Sequence, residues 1–262
     1  MPSQETLDAI NNIKSKTNNE EVIPEKQTKV TNPNEIKLGK NKIVHIKPWI
    51  GKTKKRIRKA FQFIDDPENI DFERIMDDLL YKHIIEGNNI FLNEGEQLYL
   101  LSKIKEISIN DKIVDSEVCA NCGVENDIKT TTKKSVHYKE NTFPKEVGII
   151  NGHNILVQDI ISLKDFKEEL KILDDFNDET SEVDILFSMH IKATKDSREL
   201  STKEKIKFLD ELPLNEIDKI IESINECSPE CEIFVEQECK NCGKKSKFNL
   251  DITKGIFEEL MK

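Results

Sequence analysis

Two short strings place thiols at matching positions: Cys119-Ala-Asn-Cys122-Gly123 and Cys239-Lys-Asn-Cys242-Gly243. A pair of thiolates two residues apart, followed by a glycine that lets the chain turn back under a metal, is the knuckle of a zinc site. One pair supplies half of a tetrahedral sphere; two pairs supply the four sulfurs of a structural zinc. Residues 123–238 lie between them, 116 in all, too many for a single small finger. One metal held by both knuckles therefore pins the middle of the chain to a point far downstream.

Cys227 and Cys231 compete for the role, because with Cys239 and Cys242 they form C-x3-C-x7-C-x2-C. An extended strand from Cys231 to Cys239 would hold its ends about 26 Å apart at roughly 3.3 Å per residue. Thiolates on one zinc lie only about 2.3 Å from the metal. Ile233 and Val235 alternate with Glu232 and Glu236, as such a strand requires. The expected ligands of one structural Zn2+ are Cys119, Cys122, Cys239 and Cys242, with Cys227 and Cys231 as small buried residues at a turn around Pro229.

Four thiolates fill the coordination sphere, whereas a catalytic zinc keeps a position open. None of the histidines His45, His83, His137, His153 and His190 sits in a ligand pair, and neither H-E-x-x-H nor the deaminase pattern occurs. They are expected to be packing or surface residues. No serine has a nucleophile-elbow context. The sequence thus offers no catalytic constellation, and a non-enzyme is expected.

The composition bounds the rest. At 262 residues the chain can bury a substantial core, and its net charge of −10 argues against a general nucleic-acid binder without excluding a local basic patch. No stretch is long and apolar enough for a membrane span, and the N-terminus lacks the apolar core of a signal peptide. With CxxC spacing and no export signal, reduced metal-binding thiols in a reducing cytoplasm are expected rather than disulfides.

The positioning elements follow from periodicity and capping. Residues 1–39 are polar and interrupted by Pro24 and Pro33, so they are expected to form a disordered N-terminal arm, either a mobile tail or one that folds on a partner, with a short helix possible at Gln4–Lys14. Residues 40–262 are expected to form one zinc-stapled domain. Ile43–Ile46 suits a strand. Lys52–Lys59, with six basic residues, suits a solvated loop or docking surface rather than a phosphate cradle. Helices are expected at Asp71–Ile85, from Asn93 or Glu94 to Ile107, and at Ser162–Leu173, Val183–Ala193, Ser201–Leu209 and Leu214–Ile224. A further terminal helix is expected around Ile256–Leu260. Asn151-Gly152 marks a hairpin. Val114–Val118 and Val124–Thr132 flank the first knuckle as strands, and Ile233–Glu238 and Ser246–Ile252 flank the second. The fold class is α+β: a helical body with short strands, closed by a zinc-ribbon-like clasp built from two distant knuckles.

The segment Glu94–Ser108 leading to the first CxxCG, and the run Ser201–Ile224 with its internal Leu212-Pro213 leading to the second, give the chain a recognisable order. In that order it resembles the baseplate hub subunit and hub assembly proteins of T-even-type contractile-tailed bacteriophages, over roughly Ile43 to Leu260. Family members often carry two aromatics after the last strand, where only Phe257 stands here. The resemblance implies a non-enzymatic tail-assembly protein whose partners are other tail and baseplate hub proteins, in the host cytoplasm during assembly and in the virion baseplate. By position it places zinc on the same four cysteines. A zinc-ribbon protein of transcription or nucleic acid is the competing expectation, and an enzyme with an unrecognised site the third.

Overall fold

The computed structural model describes residues 34–40, 42–62, 75, 78–86, 89–171 and 181–261. The expected arm up to Pro33, its helix at Gln4–Lys14 and the start of the Asp71–Ile85 helix lie outside them. All of the described residues fall in one unit, Pro33–Lys262.

The described chain opens on a hairpin, β1 (Asn34–Gly39) with β2 (Lys42–Ile46). Residues 34–39, assigned to the arm by their polarity, are thus an ordered strand. Its apolar content is short, but Leu38 is fully buried, as are Val44 and Ile46 opposite. The basic run is not a loop either; it forms the helix α1 (Gly51–Gln62). Thr53 and Ile57, four residues apart, give that helix one buried stripe, while most of its lysines and arginines stay in solvent. Trp49 just before it donates its indole N–H to the Leu79 carbonyl at 2.7 Å.

The helix expected to reach Ile85 ends earlier. Asp78 and Leu79 are helical, but a 3-10 turn at Tyr81–His83 follows and Ile84 bridges to Ile46. The Ile85 N–H and the His83 carbonyl bond to the backbone beside β2, which takes those residues out of the helix. Burial pushes the His83 imidazole below its ordinary pKa, and it hydrogen-bonds to the Pro48 carbonyl and Thr53.

Next come α2 (Glu94–Ser108), β3 (Lys112–Val118), β4 (Glu125–Thr131), the single turn α3 (Thr132–Ser135) and β5 (Val136–Lys139). The strands β6 (Lys145–Ile150) and β7 (His153–Val157) meet at Asn151-Gly152, both at positive φ (45° and 76°), as the dipeptide predicts. Then follow α4 (Leu163–Leu170), α5 (Glu182–Met189), β8 (Ile191–Lys195), β9 (Arg198–Glu199), α6 (Thr202–Asp210) and α7 (Leu214–Cys227). The expected helix Val183–Ala193 is therefore split. Ile191 and Ala193 are fully buried at strand spacing, and pairing with β7 outweighs continuation of the helix. Last come β10 (Glu230–Glu238), β11 (Lys245–Asn249) and α8 (Ile252–Met261). The expected strand to Ile252 stops at Asn249, because Asp251 caps α8, its Oδ1 accepting the Thr253 N–H at 2.9 Å.

Among the described residues there are four sheets, all antiparallel: β1–β2, β3–β4, β11–β10–β5 and β6–β7–β8–β9. The described residues form two hydrophobic clusters. The first joins the β1–β2 hairpin, α1, α2, α8 and both knuckle hairpins, and includes Cys119 and Cys239. The second packs β6, β7 and β8 against α6 and α7.

A buried ion pair lies beside the first cluster and reaches toward the second. Lys42 Nζ bonds to Glu96 Oε2 at 2.7 Å and lies 3.5 Å from Asp159 Oδ2; the Lys42 and Glu96 side chains are 1% and 0% exposed. Glu96 also completes the capping box of α2. Its Oε2 accepts the Asn93 N–H at 3.0 Å while Asn93 Oδ1 accepts the Glu96 N–H at 2.9 Å. Burial pushes the Glu96 carboxyl up against the opposing pull of Lys42, and its Oε1 finds no hydrogen-bond partner among the described residues.

Gly95, on the same turn of α2, lies against the start of β10. A Cβ there would sit 2.9 Å from the Pro229 carbonyl oxygen and 3.1 Å from the Cys231 nitrogen. Alanine would favour the helix by about 1 kcal/mol, but backbone atoms cannot swing aside as a side chain can. Overpacking costs about 1–3 kcal/mol, so Gly95→Ala is expected to lower stability in urea unfolding by about 1 kcal/mol. An increase would show that the two elements separate freely.

Candidate metal centre

The two knuckles are built alike. Val118 pairs with Glu125 across β3–β4, and Glu238 with Lys245 across β10–β11, so each hairpin is closed by the residue before its first cysteine and the residue three after its second. Inside each loop the first cysteine's N–H bonds back, Cys119 to the Val124 carbonyl (2.9 Å) and Cys239 to the Lys244 carbonyl (3.0 Å). Its carbonyl in turn accepts the glycine N–H, from Gly123 at 2.8 Å and Gly243 at 3.0 Å. Both glycines stand at positive φ, 70° and 68°, where a side chain would be strained.

The tips meet across 116 intervening residues (123–238). One sulfur of each cysteine lies within 4.8 Å of the others, with Cys119 to Cys242 at 3.9 Å and Cys122 to Cys239 at 3.6 Å. The edge of a tetrahedron with metal–sulfur distances of about 2.3 Å is about 3.8 Å. The cysteines are free thiols, and these separations are far beyond the roughly 2.05 Å of a disulfide. The four sulfurs have the spacing of a metal cage and could bind an ion.

Polar groups from each half reach the sulfurs of the other. Asn126, four residues after Cys122, donates its amide to Cys239 Sγ at 3.5 Å. Ser246, four residues after Cys242, places its hydroxyl 3.7 Å from Cys119 Sγ. Asn126 Oδ1 also accepts the Lys240 N–H at 3.0 Å, and the Asn121 amide bonds to Cys242 Sγ at 3.4 Å. The exchange gives the pair of hairpins an approximate two-fold relation. Asn126 and Ser246 escape a reading of the sequence for ligands, although their common offset from the second cysteine is visible in it.

These contacts favour the thiolate at Cys119 and Cys239, whereas Cys122 is shifted up. The backbone N–H groups of Cys242 and Asn241, with the Asn126 amide, hold the Cys239 thiol down to about 6. The Asn121 N–H and the Ser246 hydroxyl hold Cys119 below its ordinary range. Around the second knuckle Lys240, Lys244 and Lys245 are exposed, and Lys244 Nζ bonds to Asn121 Oδ1 at 2.8 Å, tying the tips together. The cations would offset part of the charge of thiolates gathered there.

Cys227 and Cys231 are placed elsewhere. Cys227 ends α7, and its carbonyl accepts the Thr142 N–H at 3.0 Å. Cys231 pairs with Tyr138 at the opposite end of β10 from Cys239, and burial pushes its thiol up to about 11. The histidines lie outside the cluster, the only group of metal-ligating side chains of this kind found among the described residues. His190, for instance, is half-buried, stacks on Phe143 and bonds through Nδ1 to the Gln158 carbonyl at 2.9 Å. No helix among the described residues is long and apolar enough to cross a membrane.

A family model described as T4 bacteriophage base plate protein matches residues 30–258. No curated protein and no solved structure matches the chain.

Proposed function

The chain belongs to the T4 bacteriophage base plate protein family, and from that premise we propose that it acts at the baseplate hub of a contractile tail as a non-enzymatic structural or assembly protein. Its work is protein–protein contact, first in the host cytoplasm and then in the virion baseplate. Cys119, Cys122, Cys239 and Cys242 hold one structural zinc. The observation that carries the metal assignment is the cage itself, four sulfurs within 4.8 Å from two matched hairpins. A tetrathiolate zinc has no open position for substrate or water, so it supplies rigidity and no chemistry. The chain's own part is to favour the thiolates of Cys119 and Cys239, through the Ser246 and Asn126 donors aimed at them.

The competing reading, a nucleic-acid-associated zinc protein, is favoured by α1, whose six basic residues lie on one helix. The net charge of −10 opposes it. One experiment separates the two: affinity capture of the tagged full chain from infected cells, with metal analysis of the purified protein. Enrichment of other tail proteins and about one zinc per chain are expected. Enrichment of polymerase or nucleic acid in their place would overturn the baseplate role, and absence of zinc would overturn the metal assignment.

A further inference from the structure

An apolar groove of about 340 Å³ runs between α5, α6 and α7. Ile206, Leu209 and Leu212 form its buried floor, and Phe187 and Ile217 its half-buried walls. At its lip Leu214 is 78% exposed. That exposure is not a loop effect. Leu214 is the first residue of α7, directly after Pro213 at the N-cap, so the helix start holds it outward. The described lining contains two carboxylates, Asp184 and Asp210, and no cation. Asp184 is fixed by the cap of α5, where its Oδ2 accepts the Ser181 N–H at 2.8 Å. Asp210 makes no ion pair among the described residues.

We propose that this groove docks a segment of another protein that presents aliphatic side chains flanked by lysine or arginine, most simply one face of an amphipathic helix. The floor and Leu214 would take the aliphatic side chains; Asp184 and Asp210 would face the cations, on a chain whose net charge of −10 already draws cationic partners. A second copy does not fit this description. Groove against groove would set the two carboxylates against their equivalents, and among the described side chains of the basic α1 the one large apolar residue, Ile57, is fully buried.

The proposal rests on the protein-binding role above, but its test needs only the purified full chain. A fluorescein-labelled 15-residue helical peptide with leucines at i, i+3, i+4 and i+7 and lysines elsewhere is titrated with the protein and followed by anisotropy. The controls are the same peptide with glutamates for lysines and a scrambled lysine peptide. Saturable binding of the lysine peptide is expected, at least tenfold tighter than either control. Leu214→Ser should weaken it at least fivefold while leaving the melting temperature unchanged, since that side chain is in solvent. Asp210→Asn should weaken it about threefold and flatten its salt dependence. Failure to saturate, equal affinity for the glutamate peptide, or wild-type binding by Leu214→Ser would each overturn the groove as the site. None of these results would bear on capture of tail proteins from infected cells.

Discussion

Cys239→Ser is expected to abolish stoichiometric zinc binding and to destabilise the whole described domain. Removing one thiolate leaves three ligands and loosens the junction of two hairpins that also touch through β3, β11 and a shared hydrophobic cluster. Cys119 and Cys239 also belong to the first hydrophobic cluster, so the loss is felt in the core. A ligand present at a thousandfold its dissociation constant adds about 4 kcal/mol to stability. For a domain of this size each kcal/mol corresponds to about 2–4 °C, so a fall of about 8–16 °C in melting temperature is expected, with metal content dropping from one per chain to near zero. Cys119→Ser should behave alike. Cys231→Ser, at the far end of β10, should keep its metal. Metal analysis and calorimetry on the three variants decide the matter; metal lost from Cys231→Ser but retained by Cys119→Ser would overturn the ligand assignment.

The second large effect concerns Lys42. Lys42→Met removes the only cation bonded, among the described residues, to the wholly buried Glu96 carboxylate. Breaking a buried pair by removing one partner costs about 3–5 kcal/mol, because the remaining charge is left uncompensated. Adding Glu96→Gln should recover most of the loss, since glutamine can still close the capping box with Asn93. Urea unfolding followed by fluorescence of Trp49, the one tryptophan, reads both variants. The pH dependence has a definite sign. The folded Glu96 carboxyl is already raised by burial, and loss of Lys42 raises it further. The deficit relative to wild type is then fully present above the variant's folded pKa. It shrinks as pH falls through that value and is gone below the wild type's own folded pKa, itself raised by burial. A deficit independent of pH would show that Lys42 acts through packing alone.

What could be read in advance was whatever a few neighbouring residues encode together. The CxxCG strings carry their ligands and their turn in five residues. Asn93 with Glu96 marks a helix start, and Asn151-Gly152 marks a hairpin. Each was legible because its physics is local. Lys42 and Glu96 are 54 residues apart, and nothing near either one announces the other. Asn126 and Ser246 become ligand-supporting only when the hairpins face each other. The basic run 52–59 hid a helix because its buried stripe consists of Thr53 and Ile57 alone. Ile191 and Ala193 continue an apolar pattern equally compatible with α5; pairing with β7 made them a strand. In each of these cases a partner distant in sequence outweighed the local signal.

The separation of the two knuckles has a consequence during synthesis. A metal held by all four sulfurs cannot be enclosed until Cys242 has been translated, and Cys119 waits through 123 further residues for it. At about 5–20 residues per second that is roughly 6–25 s on the ribosome. The first knuckle spends that interval as a two-thiolate half-site, and the second hydrophobic cluster, formed from residues 143–227, can assemble within it. Closure of the metal cage then reports that both hairpins have been made. A chain interrupted between them cannot form the cage, so the coordination we propose would also distinguish the finished protein from a partial one.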